Sequence, residues 1–333
     1  MAHVSVVIPA FNAANTVARA IDSALRQIFD GILEIIVVND GSTDRTAGML
    51  AQYEPRIRII NQVNQGPAAA RNAGVAQSDG EFIAFLDADD MFMANKLAQT
   101  VPLLAEHERA SLLFHDAIAL DQDGEQVTQS YVWPERAHAP SMEEMLAKWW
   151  PIVPSTVVMR RKVFALCGGF CQEFRMPGYE DPDLWIRARE YGEFIYLPEQ
   201  LTSYTICAQR AERMEKYMRA RSLFFRRLRS RYGARAEPLI SSTIRSYTNW
   251  LSYQGLLAMQ RGDGPAARAY FMRILRHQPT HLKSVLRLLR TFLPATVARS
   301  LSGRTAGARR PPVDERGPAL DAITNPLKHT NSQ

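Results

Sequence analysis

The first 120 residues predict an α/β fold built on a mostly parallel sheet. Short apolar, β-branched runs recur there, and segments with helical periodicity fill the intervals between them. Polar clusters follow three of these runs directly, and ligands of open α/β sheets sit outside the carboxyl ends of the strands.

Val4-Ser5-Val6-Val7-Ile8 reads as the first strand, ended by Pro9. Thr16 to Arg26 has helical spacing. Leu33 to Val38 is a second apolar run, closing on Asn39-Asp40-Gly41-Ser42. Thr43 to Tyr53 reads as helix, Ile57-Arg58-Ile59-Ile60 as strand, Pro67 to Ala76 as helix and Glu81 to Leu86 as the fourth strand. The polar clusters are Pro9 to Asn12, Asn39 to Asp44 and Asp87 to Asp90, all expected at one edge of the sheet.

Asp87-Ala88-Asp89-Asp90 is the most chemically loaded cluster. Three carboxylates at the end of a core strand are costly unless something neutralises them. Mg2+ or Mn2+ is a natural partner, because hard cations take oxygen ligands and keep positions open for substrate phosphates. The competing reading is a solvated turn with Asp90 as a helix cap, for a helix starting near Ala94.

The order of the motifs carries a resemblance. VSVVIPAFNAANTVARAIDSALRQ, EIIVVNDGSTDRT, NQGPAAARNAGV and DGEFIAFLDADD, followed by Gly168-Gly169-Phe170 and YEDPDLWIRA, resemble the successive motifs of family 2 glycosyltransferases. The resemblance covers roughly residues 3 to 206. It implies the GT-A fold, a Rossmann-like sheet flanked by helices, and an inverting transfer of sugar from a nucleotide-diphosphate donor, with UDP-sugar as the commonest form.

The resemblance also implies roles. Pro9, Phe11 and Asn12 match the loop that wraps the base, and Asp40 the residue that contacts it. Asp40 could instead cap the following helix, and Phe11 could simply pack. Arg71 suits a phosphate or the orientation of the acidic cluster; the alternative is a surface Arg paired to a nearby carboxylate. Asp87 matches a ribose or metal contact and Asp89 the principal ligand of a divalent metal, Mn2+ or Mg2+, with Asp90 structural. Asp181 matches the base that deprotonates the acceptor hydroxyl, supported by Glu180, with Asp183 exposed. An acidic pair at a helix start is also what the helix dipole favours. Trp185 is read as core. One departure is Cys207, which stands where relatives often carry a His that completes the metal or diphosphate site; thiols match hard cations poorly.

Charge divides the chain. Residues 1–206 hold 16 Lys+Arg against 27 Asp+Glu, a net of −11, whereas residues 207–310 hold 22 against 4, a net of +18. The expected domains are therefore a catalytic domain at 1–206, a basic α-helical extension at 207–301 and a disordered tail at 302–333. Helical patterns run over Arg210 to Tyr232, Pro238 to Arg261, Pro265 to His277 and Thr280 to Phe292. Leu223-Phe224-Phe225 among arginines, and the leucines from Val285 to Leu293, read as interfacial helices drawn to an anionic membrane surface; the alternative is an extension packed on the catalytic domain. Gly255 to Pro279 resembles one tetratricopeptide-type helical hairpin.

No apolar window reaches the ~18–20 residues needed to span a bilayer, and Val4 begins a core strand without a leader pattern. The expectation is a cytoplasmic protein, peripheral at the inner face of the membrane, with a glycan or lipid-linked acceptor. Nucleic acid is not expected, since no binding motif accompanies the charge. Cys167, Cys171 and Cys207 form no disulfide framework. Two other classes stand beside the main one: a catalytically impaired relative acting as a scaffold, and a sugar-nucleotide pyrophosphorylase. The latter calls for a Gly-rich basic loop after the first strand, which PAFNAAN lacks.

Overall fold

The computed structural model describes residues 1–292 except 122–123, 129, 133, 176–177, 207–213 and 278. Cys207 and the tail at 302–333 therefore lie outside the described residues. The chain divides into two compact units, one of Met1–Leu146 with Trp150–Ala236 and one of Ala147–Trp149 with the chain from Glu237.

The first unit is built on a nine-stranded sheet in the order β3-β2-β1-β4-β8-β6-β9-β5, with β7 beside β6. β1 (His3–Ala10), β2 (Ile32–Asp40), β3 (Arg58–Gln62) and β4 (Phe82–Phe85) are the four expected strands, and they pair in parallel. β8 (Val157–Arg160) joins β4 antiparallel and β6 (Ala110–Leu120) joins β8 antiparallel, so β6 runs with β1 to β4. β9 (Glu193–Thr205) lies parallel to β6; β5 (Met91–Phe92) and β7 (Gln126–Thr128) are antiparallel additions. The mostly parallel sheet is thus present, with three strands reversed.

Burial on both faces explains the near-continuous apolar runs. Val4, Val6, Ile8, Val37, Phe82 and Ala84 pack on one face with Val17, Ala20, Ile21 and Ala24 of α1 (Val17–Leu25). Ile36 and Val38 face α3 (Pro67–Ala76) through Ala70. Pro67 at the first helical position starts α3, where its missing N–H goes unmissed. The helix expected over Thr43 to Tyr53 is shorter, α2 at Thr46–Ala51, because Asp44 takes the Thr46 amide and hydroxyl and holds the preceding turn open. In chain order α4 is Lys96–Glu106, α5 Met142–Ala147, α6 Arg161–Leu166, α7 Glu180–Ala188 and α8 Met214–Tyr232.

The charge break at 207 and the limit of the first compact unit at 236 do not coincide. Within that unit α8 packs on α7: the Phe224 ring lies 5.2 Å from Tyr179 and is fully buried, with Phe225 and Leu228 buried beside it. Leu223-Phe224-Phe225 was read as lipid-facing; Phe224 and Phe225 instead bury against protein.

The second unit is helical. α9 (Glu237–Gln260) and α10 (Gly264–His277) form a hairpin around Leu251, Ala258, Ala267, Phe271 and Ile274. Gly255 permits the approach, since a Cβ there would stand 2.8 Å from the Phe271 ring. α11 (Leu282–Arg290) follows, with Leu282, Leu286 and Leu289 exposed. Among the described residues no helix is long and apolar enough to cross a membrane.

Candidate active site

Sheet register brings the polar clusters to one edge. Ala10 pairs with Asn39, Asp40 with Gln62, and Val7 with Phe85, so the segments after β1, β2 and β4 leave the sheet together. The first two are stitched to each other. Asn12, in a left-handed conformation with φ 50°, accepts the Thr43 amide at 2.8 Å on Oδ1. Ser42 Oγ accepts the Asn12 amide, and Asp44 accepts the Ala14 amide. Phe11 stands out from this loop, 51% exposed, while Pro9 is half-buried. An exposed aromatic ring on a loop held this firmly is free to stack on a planar ligand.

Asp40 does not cap a helix. Its carboxylate accepts Gln62 Nε2 and the Gln65 amide on Oδ1, at 2.7 and 2.9 Å, and the Gly66 amide on Oδ2 at 2.8 Å. A carboxylate has about four acceptor positions, so one on Oδ2 remains for a ligand. The turn it organises needs Gly66, whose φ is +90° and where an added Cβ would stand 2.3 Å from the Arg175 carbonyl oxygen.

Arg71 is the hub of the acidic cluster. It projects from α3 with 4% of its side chain exposed, and its Nη2 donates to Asp87 at 2.6 Å while Nη1 donates to Glu180 at 3.2 Å. The strand-end motif and the acidic pair of α7 are thereby joined by one guanidinium. Burial opposes the charge on Arg71, but Asp87 and Glu180 outweigh it, and its pKa lies above the ordinary arginine value. Glu180 also takes the Gly178 and Tyr179 amides on its other oxygen.

Asp181, next on α7, is in the opposite situation. Its Oδ1 is buried with no hydrogen-bond partner. Burial, followed by the negative charge of Glu180, pushes its pKa well above the usual aspartate range. Such a carboxylate is a stronger base once ionised, which suits proton removal near neutral pH.

Asp87 is half-buried and Asp89 exposed. The Asp87 amide donates to Ser155 Oγ at 3.0 Å, and the Asp89 carbonyl accepts the Thr205 hydroxyl at 2.6 Å. Asp90 is buried and does not cap α4, which begins beyond it at Lys96. It accepts the Ser155 hydroxyl at 2.5 Å and the Thr205 amide at 2.8 Å. Burial, then Asp89 and Asp87, raise its pKa, while burial lowers that of Lys96, whose Nζ donates to the Ser155 carbonyl at 2.7 Å. Ser155 thus locks the acidic loop to the sheet. Lys96 gave no sequence signal, because a lysine opening a helix is an ordinary feature.

Among the described residues no group of three His, Cys, Asp or Glu is arranged to hold a metal ion. Asp87 and Asp89 supply carboxylate oxygens, the donor type that suits Mg2+ or Mn2+, and such ions draw further ligands from water and phosphate. The residues fit a cation that is completed by substrate rather than a closed protein cage.

Two expectations on α7 are settled. Trp185 is core: it is 1% exposed, packs near Phe85 and Phe170, and donates Nε1 to the Ile152 carbonyl at 3.1 Å. Asp183 is not exposed. It is 5% exposed and pairs with Arg187 at 2.6 Å and Arg227 at 2.8 Å. The correction follows from α8, which brings Arg227 over α7.

Residues 5–166 match the sequence model of the family described as glycosyl transferase family 2. This segment, just under half of the chain, is similar to glycosyltransferase family 2. Among its relatives, chondroitin synthase of Pasteurella multocida is 30% identical over 198 residues, 58% of this chain and 20% of that protein. An uncharacterized glycosyltransferase of Rickettsia typhi is 30% identical over 190 residues, 55% of this chain and 58% of that protein. One from Rickettsia bellii is 41% identical over 108 residues, 32% and 16% of the two chains. This chain therefore covers less than two thirds of each of these relatives. S. aureus TarS shares the fold, with a TM-score of 0.57 at 18% identity over 90% of this chain and 53% of that one. Its 1–349 fragment in complex with UDP-GlcNAc gives 0.56 at 17% identity, covering 90% and 91%. The GT-A fold is common to all of these structures.

Proposed function

We propose that this protein is an inverting glycosyltransferase that moves a sugar from a nucleotide-diphosphate donor, a UDP-sugar, to a hydroxyl of a glycan or lipid-linked acceptor in cell-surface polysaccharide or glycoconjugate synthesis. The observation that carries this reading is the Arg71 bridge, which sets the Glu180–Asp181 pair beside the Asp87–Asp89 loop. A donor-side carboxylate loop and a raised-pKa base at one sheet edge are the two parts a single displacement needs. A relative solved with UDP-GlcNAc supports the choice of nucleotide.

In this reading the base lies against Phe11 and Asn12 with the free acceptor position of Asp40 toward its edge. Asp87 and Asp89 would hold Mg2+ or Mn2+, which when bound offsets charge developing on the departing diphosphate. Arg71 cancels the repulsion between Asp87 and Glu180 and keeps both oriented. Asp181 takes the proton of the acceptor hydroxyl on a carboxylate oxygen. The freed oxygen attacks the anomeric carbon from the face opposite the leaving group, whose bond breaks with its electron pair, and the configuration inverts. No enzyme nucleophile forms a bond.

The basic helices extend the reading to a peripheral protein on an anionic membrane surface, at the cytoplasmic face. α11 supports it: Leu282, Leu286 and Leu289 stand 68%, 54% and 59% exposed on one face, with Lys283, Arg287 and Arg290 beside them. Such a helix lies in a lipid interface with its cations at the headgroups.

Mass spectrometry of products from a panel of nucleotide sugars, with soluble and lipid-linked acceptors, tests the activity. The expected outcome is one donor giving a product with inverted anomeric configuration. Donor hydrolysis alone, or retention, would remove the mechanism.

A further inference from the structure

Between the two acidic motifs lies a buried cation with no ion pair among the described residues. Arg136 ends the short helical turn Pro134–Arg136 and is 8% exposed. Its guanidinium carbon sits 5.1 Å from the centroid of the Trp150 ring, and its Nε is buried with no hydrogen-bond partner. Trp150 is 6% exposed, and its Nε1 is likewise buried and unpartnered. The His138 ring meets the indole at right angles, with centroids 5.0 Å apart.

The nearby carboxylates do not answer this charge. Glu144 is turned away to His138 at 2.9 Å and to the Ser141 amide at 2.9 Å. Glu135 and Glu144 act on Arg136 only through space, without a hydrogen bond to it. Arginine does not shed its proton in a protein, and a buried charge left unpaired costs several kcal/mol. Two unpartnered donors at one spot, one of them permanently charged, need an acceptor that the described chain does not supply.

We infer that Arg136 and Trp150 form a subsite for an oxyanion, a carboxylate or phosphate, carried by the acceptor. The charge match selects an anion over a neutral hydroxyl, because a charge-assisted hydrogen bond is roughly twice as strong. The subsite's location fits an acceptor: Trp150 precedes Ser155 by five residues, at most about 18 Å of extended chain. Ser155 holds the Asp87 amide, and Ile152 between them holds Trp185 of α7. The assignment to the acceptor rests on the transferase reading; the oxyanion site itself does not.

The test uses the full chain and the indole N–H signals in nitrogen-resolved NMR, with Trp150→Phe assigning its resonance. Glucuronate, glucose 1-phosphate and glucose are the probes. The expected result is a saturable shift of the Trp150 signal with an anionic probe and none with glucose. Arg136→Gln should weaken that binding roughly tenfold or more, as loss of a hydrogen bond to a charged group does, and Arg136→Lys should fall between. The other four indole signals report whether each variant is folded. Response to glucuronate alone marks a carboxylate site and to glucose 1-phosphate alone a phosphate site. No response to either anion, or an equal response in folded Arg136→Gln, would overturn the subsite and leave the transferase reading intact. Intact probe binding in a protein that transfers no sugar from any donor would instead overturn that reading, and with it the acceptor assignment.

Discussion

Arg71 Nη1 lies 3.2 Å from Glu180 Oε1 with both side chains almost fully buried, so a helix of the first βαβ units is tied to an acidic pair 109 residues later. The same guanidinium holds Asp87. Removing it leaves Glu180 as a buried charge without its partner, which costs about 3–5 kcal/mol. Arg71→Gln should therefore lower the unfolding free energy by that amount, read as a lower denaturant midpoint, and abolish transfer. Arg71→Lys keeps the charge but cannot span two carboxylates, and should fall between. An unchanged midpoint in Arg71→Gln would mean that the bridge does not hold the cluster.

Asp181 makes a paired prediction about rate and stability. Its native pKa is raised, so the folded protein binds its proton to a higher pH than the unfolded chain does. Stability then falls as pH rises from the ordinary aspartate range through the raised value. Ionised Asp181 is the active form, so transfer should rise over the same window. Asp181→Asn should retain donor binding, lose transfer by roughly 10²–10⁴-fold and be more stable than the wild type at neutral pH. Transfer near the wild-type level would reduce the acidic pair to a helix-dipole feature.

Asp89 is the exposed carboxylate of its loop, with its backbone carbonyl fixed by Thr205. The backbone is held independently of the side chain, so Asp89→Ala should fold normally. Calorimetry with UDP and Mn2+ should show binding in the wild type that needs the metal and is lost in the variant. Equal affinity in the two proteins would take Asp89 out of the metal role.

What could be read from the residues was whatever repeats locally. Val4 to Ile8 and Leu33 to Val38 announce strands because both sheet faces are buried, and Pro67 announces the start of α3. The clusters after β1, β2 and β4 were legible because a parallel sheet sends its strand ends one way. Partnerships across the chain were not. Nothing near Asp183 says that Arg227, 44 residues on, will cover it. Nothing near Asp40 says that Gln62, Gln65 and Gly66 will occupy its oxygens. The arginine-rich pattern of α8 looked interfacial because composition does not tell a helix packed on protein from one packed on lipid; Phe224 decides it by being fully buried.

The Arg227–Asp183 pair gives a direct check on α8. Asp183 is buried, but about a third of the Arg227 side chain is exposed, so screening reduces what the pair contributes. Arg227→Gln should cost about 1–3 kcal/mol, whereas Arg226→Gln, at an exposed position, should stay within about 0.5 kcal/mol. Denaturant melts of the two variants compare them. Equal stability would mean that α8 is held by Phe224 and its neighbours alone.

The membrane reading now centres on α11. Leu282, Leu286 and Leu289 recur at i, i+4 and i+7, the spacing of one helix face, and all three are exposed. Exposed leucines on a soluble helix have no local reason to align, and Lys283, Arg287 and Arg290 run alongside them. The protein should therefore sediment with vesicles containing phosphatidylserine and much less with phosphatidylcholine alone. Attraction between exposed charges is screened over ~8 Å at physiological ionic strength, so added salt should weaken attachment without removing the part due to inserted leucines. Leu286→Glu with Leu289→Glu should abolish the salt-resistant part, because it places two carboxylates in the inserted face, and should leave nucleotide binding unchanged. Equal sedimentation on neutral and anionic vesicles, or vesicle binding that survives the double substitution, would assign the leucine face to a protein partner instead.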